Sequence, residues 1–309
     1  MRWLSEWREV VGTRWQRTVV AVTNGEMSIN LFINLASGRG LDERVITTLQ
    51  TILTDLDNVR GSGAMGEDRR RSYLAWATTA ANMLRGVVTS DERAHLVLTD
   101  RYRILLDVGL GDREMNGLVD LELDDRRTVW QALLAAATAW RARWADAGVV
   151  VVVDTNIFLH HEQLFTAIDW HKVMSSHTSA DGVVRVVVPL LVIDELDKNK
   201  RNNRPATQVR ARATLREFDA LLANGNQEVD LQPAPRRVTF DVLVDDLDHV
   251  RLSDNDSELI ACTRLLADLV HPAPLWLVTA DTGMAVRAQA IGLTVHKLTF
   301  DHDGQRQPR

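Results

Sequence analysis

The chain has 309 residues, 45% hydrophobic and 25% charged, with a formal net charge of −6. That is ordinary globular composition, long enough for one large domain or two of usual size. No apolar run approaches the roughly 20 residues needed to cross a bilayer, and the opening Met1-Arg-Trp-Leu-Ser-Glu-Trp-Arg-Glu9 is too charged for a secretory signal core, so no membrane partner is expected.

The single cysteine, Cys262, excludes an internal disulfide and suits a reducing cytoplasm. Charge is divided unevenly along the chain. Residues 1–148 carry 19 Arg against 20 acids, and residues 149–309 carry 17 Lys and Arg against 22 acids. An acidic metal site in the second half would produce such a surplus, and so would plain surface acidity. The basic residues are 32 Arg and 4 Lys, a bias that reads as codon supply in a GC-rich genome rather than as chemistry.

Residues 1–148 predict a helical domain. Apolar periodicity marks segments near 3–20, 26–36, 41–58, 68–88 and 91–108, and most clearly Asp125–Asp146, where Ala, Leu and Trp recur at helical spacing. Glycine-bearing turn signals at 37–40, 61–63 and 109–111 separate them. Seven of the nine Trp lie here, at 3, 7, 15, 76, 130, 140 and 144, and read as core filling. The scattered Arg69, Arg70, Arg71, Arg126, Arg127, Arg141 and Arg143 read as solvated helix faces. No chemical motif is present, so this domain is open to recruiting substrate, pairing two copies in a homo-oligomer, or covering an active site.

Gly148 breaks the long helix and the pattern changes. Val/Leu/Ile-rich runs predict strands at 149–153, 186–189, 275–279 and 293–297, alternating with helices at 157–175, 190–198, 207–223, 255–270 and 282–291. Alternation of this kind predicts an α/β domain over 149–300, a three-layer α/β/α sandwich with a parallel central sheet, followed by a flexible tail at 301–309. Ligands bind at the carboxyl ends of the strands of such sheets.

Acidic residues stand where those apolar runs stop. Asp154 follows five valines. Glu195 falls about two turns into a helix opened by Pro189. Asp254 and Asp256 precede an apolar helix, and Asp281 follows Leu275-Trp-Leu-Val-Thr279. Taken singly, each has a structural alternative: Asp154, Asp254 and Asp281 suit an N-cap, and Glu195 a solvated helix face. Taken together, they would gather carboxylates at one sheet edge, where each disfavours the ionisation of the next unless a cation lies between them. Mg²⁺ or Mn²⁺ is the expected cofactor, because hard cations take oxygen ligands. The sequence has no HExxH, P-loop or GxSxG motif, and His160, His161, His171 and His177 match no closed zinc site.

At these residues the sequence resembles a known family. Asp154-Thr-Asn156 after its strand is similar to the opening motif of the PIN domain, a family of metal-dependent nucleases. Val192-Ile-Asp-Glu-Leu-Asp-Lys-Asn-Lys200 with Ala211-Arg-Ala213 resembles the second motif as found in larger bacterial members. Asn255-Asp256-Ser-Glu-Leu-Ile-Ala261 resembles the third, and Thr279-Ala-Asp-Thr-Gly-Met-Ala-Val-Arg-Ala288 the fourth. The resemblance covers 149–300. It implies a five-stranded parallel α/β/α sandwich, a ribonuclease acting on single-stranded RNA, and an acidic site of Asp154, Glu195, Asp256 and Asp281. Asn156 would help fix Asp154, and Thr279 would support Asp281. Asp254 and Asp256 compete for the third ligand position, with Asp256 favoured because Leu259 then falls three residues on.

A metal-bound water attacking phosphorus in line would need no side-chain nucleophile. The stretch Lys198–Arg216 carries seven positive residues and no acid, and Lys198, Lys200, Arg201, Arg204, Arg210 and Arg212 are candidate phosphate contacts. A solvated loop and helix is the alternative for them. Competing functions are a non-catalytic PIN-like RNA- or protein-binding module, a structure-specific DNA nuclease, and a toxin of a toxin–antitoxin pair.

Overall fold

The structure is a computed structural model, described for residues 33–36, 39–107, 112–178, 182–201, 203–223, 228–245 and 249–300. The chain divides into two compact units, one within Leu31–Ala142 and one within Arg143–Arg309.

The first unit is all-α. Its helices are α1 (Glu43–Gly61), α2 (Gly66–Met83), α3 (Ser90–Leu96), α4 (Asp100–Leu106) and α5 (Asp112–Trp144), the last two residues of α5 belonging to the second unit. Val45, Leu49, Ile52 and Leu56 recur at helical spacing and are buried on α1, as are Tyr73, Trp76, Ala77 and Ala80 on the neighbouring α2. The Trp76 indole N–H donates to the Ile52 carbonyl at 3.0 Å, so a ring of this size is buried without leaving its polar atom unpaired. Glu122, 1% exposed, accepts from the Tyr73 hydroxyl at 3.1 Å and Thr99 at 2.8 Å, and pairs with Arg101 and Arg126.

The expected helix over 91–108 is two helices. Thr99 accepts from the Tyr102 amide at 3.1 Å, capping α4 and interrupting the helix before it. Residues 112–124, not anticipated as helix, extend the expected 125–146 segment into α5. The segment expected at 3–20 and most of that at 26–36 lie outside the described residues, as do Trp3, Trp7 and Trp15. The described part, 33–36, is not helical, and Leu35 forms a bridge with Val88. Trp76, Trp130, Trp140 and Trp144 are buried, as core filling requires.

The second unit is a sheet with flanking helices. Its elements are β1 (Ala147–Val153), α6 (Thr155–His160), α7 (Trp170–Val173), β2 (Val183–Pro189), α8 (Leu190–Asn199), α9 (Pro205–Leu222), β3 (Glu228–Gln232), β4 (Val238–Leu243), α10 (Asn255–Val270), β5 (Leu275–Thr279), α11 (Thr282–Ala290) and β6 (Thr294–Lys297). The strand order is β3-β4-β2-β1-β5-β6. All neighbours are parallel except β3 and β4, so the sheet is six-stranded with one antiparallel edge, where five parallel strands were implied. The chain leaves β1 toward β2 on one side and reaches β5 on the other, so a topological switch point falls between β1 and β5.

The all-valine β1 is buried from Val149 to Val153, as a central strand covered on both faces demands. A Cβ at Gly148 would lie 2.7 Å from the Gly182 backbone, so glycine is needed where the two chains pass. Strand β2 begins at Val183 rather than 186, because Arg185 lies inside it. That guanidinium, 4% exposed, donates to Asp146 at 2.6 Å and Glu228 at 2.7 Å and lies over the Trp144 ring. Strands β3 and β4 were not anticipated. The register pairs Arg185 with Thr239 and both Val187 and Glu228 with Asp241, placing these polar residues on one face. Phe240 points to the other face, packed against Phe165 and Phe218. The helix expected over 157–175 is broken into α6, a 3₁₀ turn at Phe165–Ala167 and α7, which Asp169 caps through the Lys172 amide. The tail 301–309 lies outside the described residues.

Candidate metal centre

Strands β2, β1 and β5 are adjacent and parallel, so their carboxyl ends share one edge. Asp154 leaves β1 there, its amide donating to the Val278 carbonyl of β5 at 3.0 Å. The side chain is 3% exposed. Thr279, the last residue of β5, donates its hydroxyl to Asp154 Oδ2 at 2.7 Å and accepts from the Asp281 amide at 3.0 Å. The Asn156 main-chain amide also faces the carboxylate, without closing a cap hydrogen bond. Burial, opposed by Thr279 and Asn156 and reinforced by the charges of Asp256 and Glu195, pushes the Asp154 carboxyl up to about 6. Two carboxylates from other elements thus act on Asp154 at this edge.

Glu195 reaches the edge from α8. Its two oxygens are held separately: Oε2 accepts from the Thr155 hydroxyl and Oε1 from Asn255 Nδ2 at 2.5 Å. Neither Thr155 nor Asn255 was assigned a role from sequence, although both sit inside the motifs that carry Asp154 and Asp256. They tie Glu195 to the start of α6 and the start of α10. Asp194, beside it, turns instead to Arg251 at 2.6 Å, which also holds Asp245. Asp197 pairs with Lys200 at 2.5 Å.

Asp254 and Asp256 part company. Asp254 is the N-cap of α10, accepting from the Ser257 amide at 3.0 Å and hydroxyl at 2.6 Å. The Ser257 hydroxyl, against the cost of burial and with help from the Ser257 amide and Arg287, holds its carboxyl below the usual range. Asp256, with Glu195, is one of the two carboxylates whose charge opposes the ionisation of Asp154. Arg287 of α11 spans both, donating to Asp254 at 3.1 Å and Asp256 at 2.6 Å. Asp281 caps α11 by accepting from the Met284 amide at 2.8 Å. The buried Glu258 accepts from the Leu252 amide at 2.7 Å and lies 2.6 Å from the His249 ring, stapling the loop that leads into α10.

Among the described residues no three His, Cys, Asp or Glu side chains converge closely enough to cage a metal ion. The donor chemistry fits a hard divalent cation all the same. The ligands are oxygens, and Mg²⁺ keeps several waters and is held by one or two carboxylates. Asp154 is buried and opposed by two like charges, a conflict such a cation relieves. Asp154 is the residue that would hold it, with Glu195 or Asp256 as a second carboxylate.

The basic stretch divides by role. Arg210 of α9 donates to the carbonyls of His161, Glu162 and Gln163, the last at 2.6 Å, so it clamps the loop after α6 instead of standing free for phosphate. Lys200 is paired with Asp197, and Arg212 reaches the Lys200 carbonyl at 3.5 Å. Lys198, Arg201 and Arg204 are exposed. Among the described residues no helix is long and apolar enough to cross a membrane.

The family model described as "PIN domain" matches residues 151–299. No curated protein matches. Among solved structures, "A domain of a functionally unknown protein from Methanocaldococcus jannaschii DSM 2661" is similar at 13% identity, covering 52% of this chain and 96% of that one, with a TM-score of 0.31. The C-terminal half of the chain, residues 151–299, belongs to the PIN domain family, whose members are generally metal-dependent nucleases.

Proposed function

We propose that the chain is a Mg²⁺- or Mn²⁺-dependent endoribonuclease that hydrolyses phosphodiester bonds in single-stranded RNA. The observation that carries this reading is Asp154, a buried carboxylate whose ionisation is opposed by burial and by Asp256 and Glu195. A divalent cation at that edge would supply an activated water and neutralise the leaving oxygen. The protein's own part is positional. Thr279 orients Asp154, and Thr155 and Asn255 orient Glu195, so each carboxylate is held in a fixed orientation at the sheet edge. Exposed Lys198, Arg201 and Arg204 follow Glu195 in the chain, and would supply phosphate affinity with little base preference.

The test is cleavage of an unstructured RNA oligonucleotide with Mg²⁺, Mn²⁺ or EDTA, by the full chain and its Asp154→Asn variant. Metal-dependent products with 5′-phosphate ends, lost in the variant, are expected. Cleavage that persists in both the variant and EDTA would refute the proposal. A second reading, an RNA-binding module without turnover, draws support from Arg287, which already occupies Asp254 and Asp256. Equal RNA affinity with no product under any divalent ion would favour it, and the same oligonucleotide in duplex or DNA form tests the substrate class.

A further inference from the structure

Arg287 forks across two of the acids at this edge. Arg287 sits in the second turn of α11, which starts directly after Asp281, and α11 packs against α10, which starts directly after Asp254. The guanidinium therefore meets the start of α10 from the side: Nη1 on Asp254 Oδ2 at 3.1 Å, Nη2 on Asp256 Oδ2 at 2.6 Å. Its side chain is 33% exposed, less than either partner at 56% and 42%.

Two features set this apart from an ordinary surface ion pair. Asp254 is already satisfied by the Ser257 amide and hydroxyl, so Arg287 adds little to its anchoring. Asp256 is different: among the described residues Arg287 is the donor on it, and Asp256 is one of the two carboxylates, with Glu195, that oppose the ionisation of Asp154. The positive charge of Arg287 thus rests on the same group that a cation shared with Asp154 would need. A divalent ion entering there must displace Nη2 from Asp256 Oδ2 or bind beside a positive charge.

We propose, on the basis of the metal-centre reading above, that Arg287 is the resident counter-ion of the cleft, competing with the divalent metal for Asp256 and so setting its affinity. In the metal-free protein it partly neutralises carboxylates that would otherwise repel one another across the edge. When metal enters, the exchange on Asp256 weakens apparent affinity by about five- to tenfold, the size expected for a +1 charge opposing a +2 charge several ångströms away in a largely solvated site.

The experiment titrates Mn²⁺ alone into the full chain by calorimetry, for the wild type and for Arg287→Gln, Arg287→Lys and Asp154→Asn, with thermal unfolding in EDTA to establish that each variant is folded. Arg287→Gln is expected to bind Mn²⁺ about five- to tenfold more tightly. Arg287→Lys keeps the charge but loses the two-pronged fork, so a smaller tightening of about two- to threefold is expected; that variant decides the matter if the Gln substitution does not fold. Mn²⁺ binding that is unchanged or weaker in the Arg287 variants, while Asp154→Asn abolishes it, overturns the proposal and leaves the metal centre standing. Equal Mn²⁺ binding by Asp154→Asn and the wild type removes the metal centre itself, and this inference with it.

Discussion

Thr279 donates its one hydroxyl proton to Asp154 at 2.7 Å and accepts the Asp281 amide at 3.0 Å. Because the hydroxyl has a single proton, the acceptance from Asp281 leaves that proton to Asp154, and one buried side chain couples the end of β1 to the turn after β5. Thr279→Val keeps the shape and removes both bonds. It should cost about 1–3 kcal/mol, the scale for leaving buried polar groups without partners, whereas Thr279→Ser should recover most of it. Urea denaturation of the three proteins measures the difference, and a Val variant as stable as the wild type would show that the coupling carries nothing.

Asp154 opposes folding at neutral pH. Its folded carboxyl titrates at about 6 against a usual value of 3.8, so the folded state binds the proton more tightly than the unfolded one. The contribution of Asp154 to stability is therefore most favourable at or below about pH 4, falls as pH rises toward 6, and stays low above it. A shift of this size corresponds to about 3 kcal/mol as an order of magnitude. Asp154→Asn should stabilise the metal-free chain at pH 7 and not at pH 4. Asp241 is also pushed up to about 6 by burial, against the opposing charge of Arg143, and contributes in the same direction. The difference between variant and wild type across pH 4–7 isolates Asp154, and parallel pH profiles would contradict the assignment.

The buried pair Arg143–Asp241 makes a different prediction. Both side chains are under a tenth exposed. Replacing either partner alone, as Arg143→Met or Asp241→Leu, leaves an uncompensated charge and should cost about 3–5 kcal/mol. The double replacement should cost clearly less than the sum of the two, because no charge is stranded. Strict additivity in a double-mutant cycle would mean the two residues do not act as a pair.

Arg210 and Arg201 should separate stability from nucleic-acid affinity. Arg210→Ala removes the donor to three carbonyls of residues 161–163 and should destabilise by about 1–3 kcal/mol. Arg201→Ala, at an exposed position, should leave unfolding unchanged while weakening binding of a single-stranded RNA and lowering its salt dependence by about one counterion. Thermal melts and fluorescence anisotropy at several salt concentrations make the comparison. RNA affinity that depends on Arg210 and not on Arg201 would reverse the two roles.

Much of this protein is legible along the chain. Five consecutive valines can only be a strand covered on both faces, and a carboxylate after them must stand at its tip. Apolar runs alternating with helices dictate a largely parallel sheet, whose carboxyl ends lie together. That pattern puts Asp154 and Asp281 just beyond the ends of β1 and β5, and Glu195 and Asp256 in the helices that follow apolar runs or loops.

Other features depend on partners remote in sequence, so only the tertiary structure decided them. Arg185 ends an apolar run when read locally, yet lies within β2 because Asp146 and Glu228 meet it there. Strand β4 hides behind Thr239 and Asp241, and the burial of Asp241 is intelligible only with Arg143 in place. Asp254 and Asp256 look alike in sequence, and the fold separates them by turning one into a cap and leaving the other to Arg287. Local periodicity determines which residues reach the sheet edge; which of them meet there, and with what charge between them, is a matter of contacts spanning up to 125 residues, which no local pattern encodes.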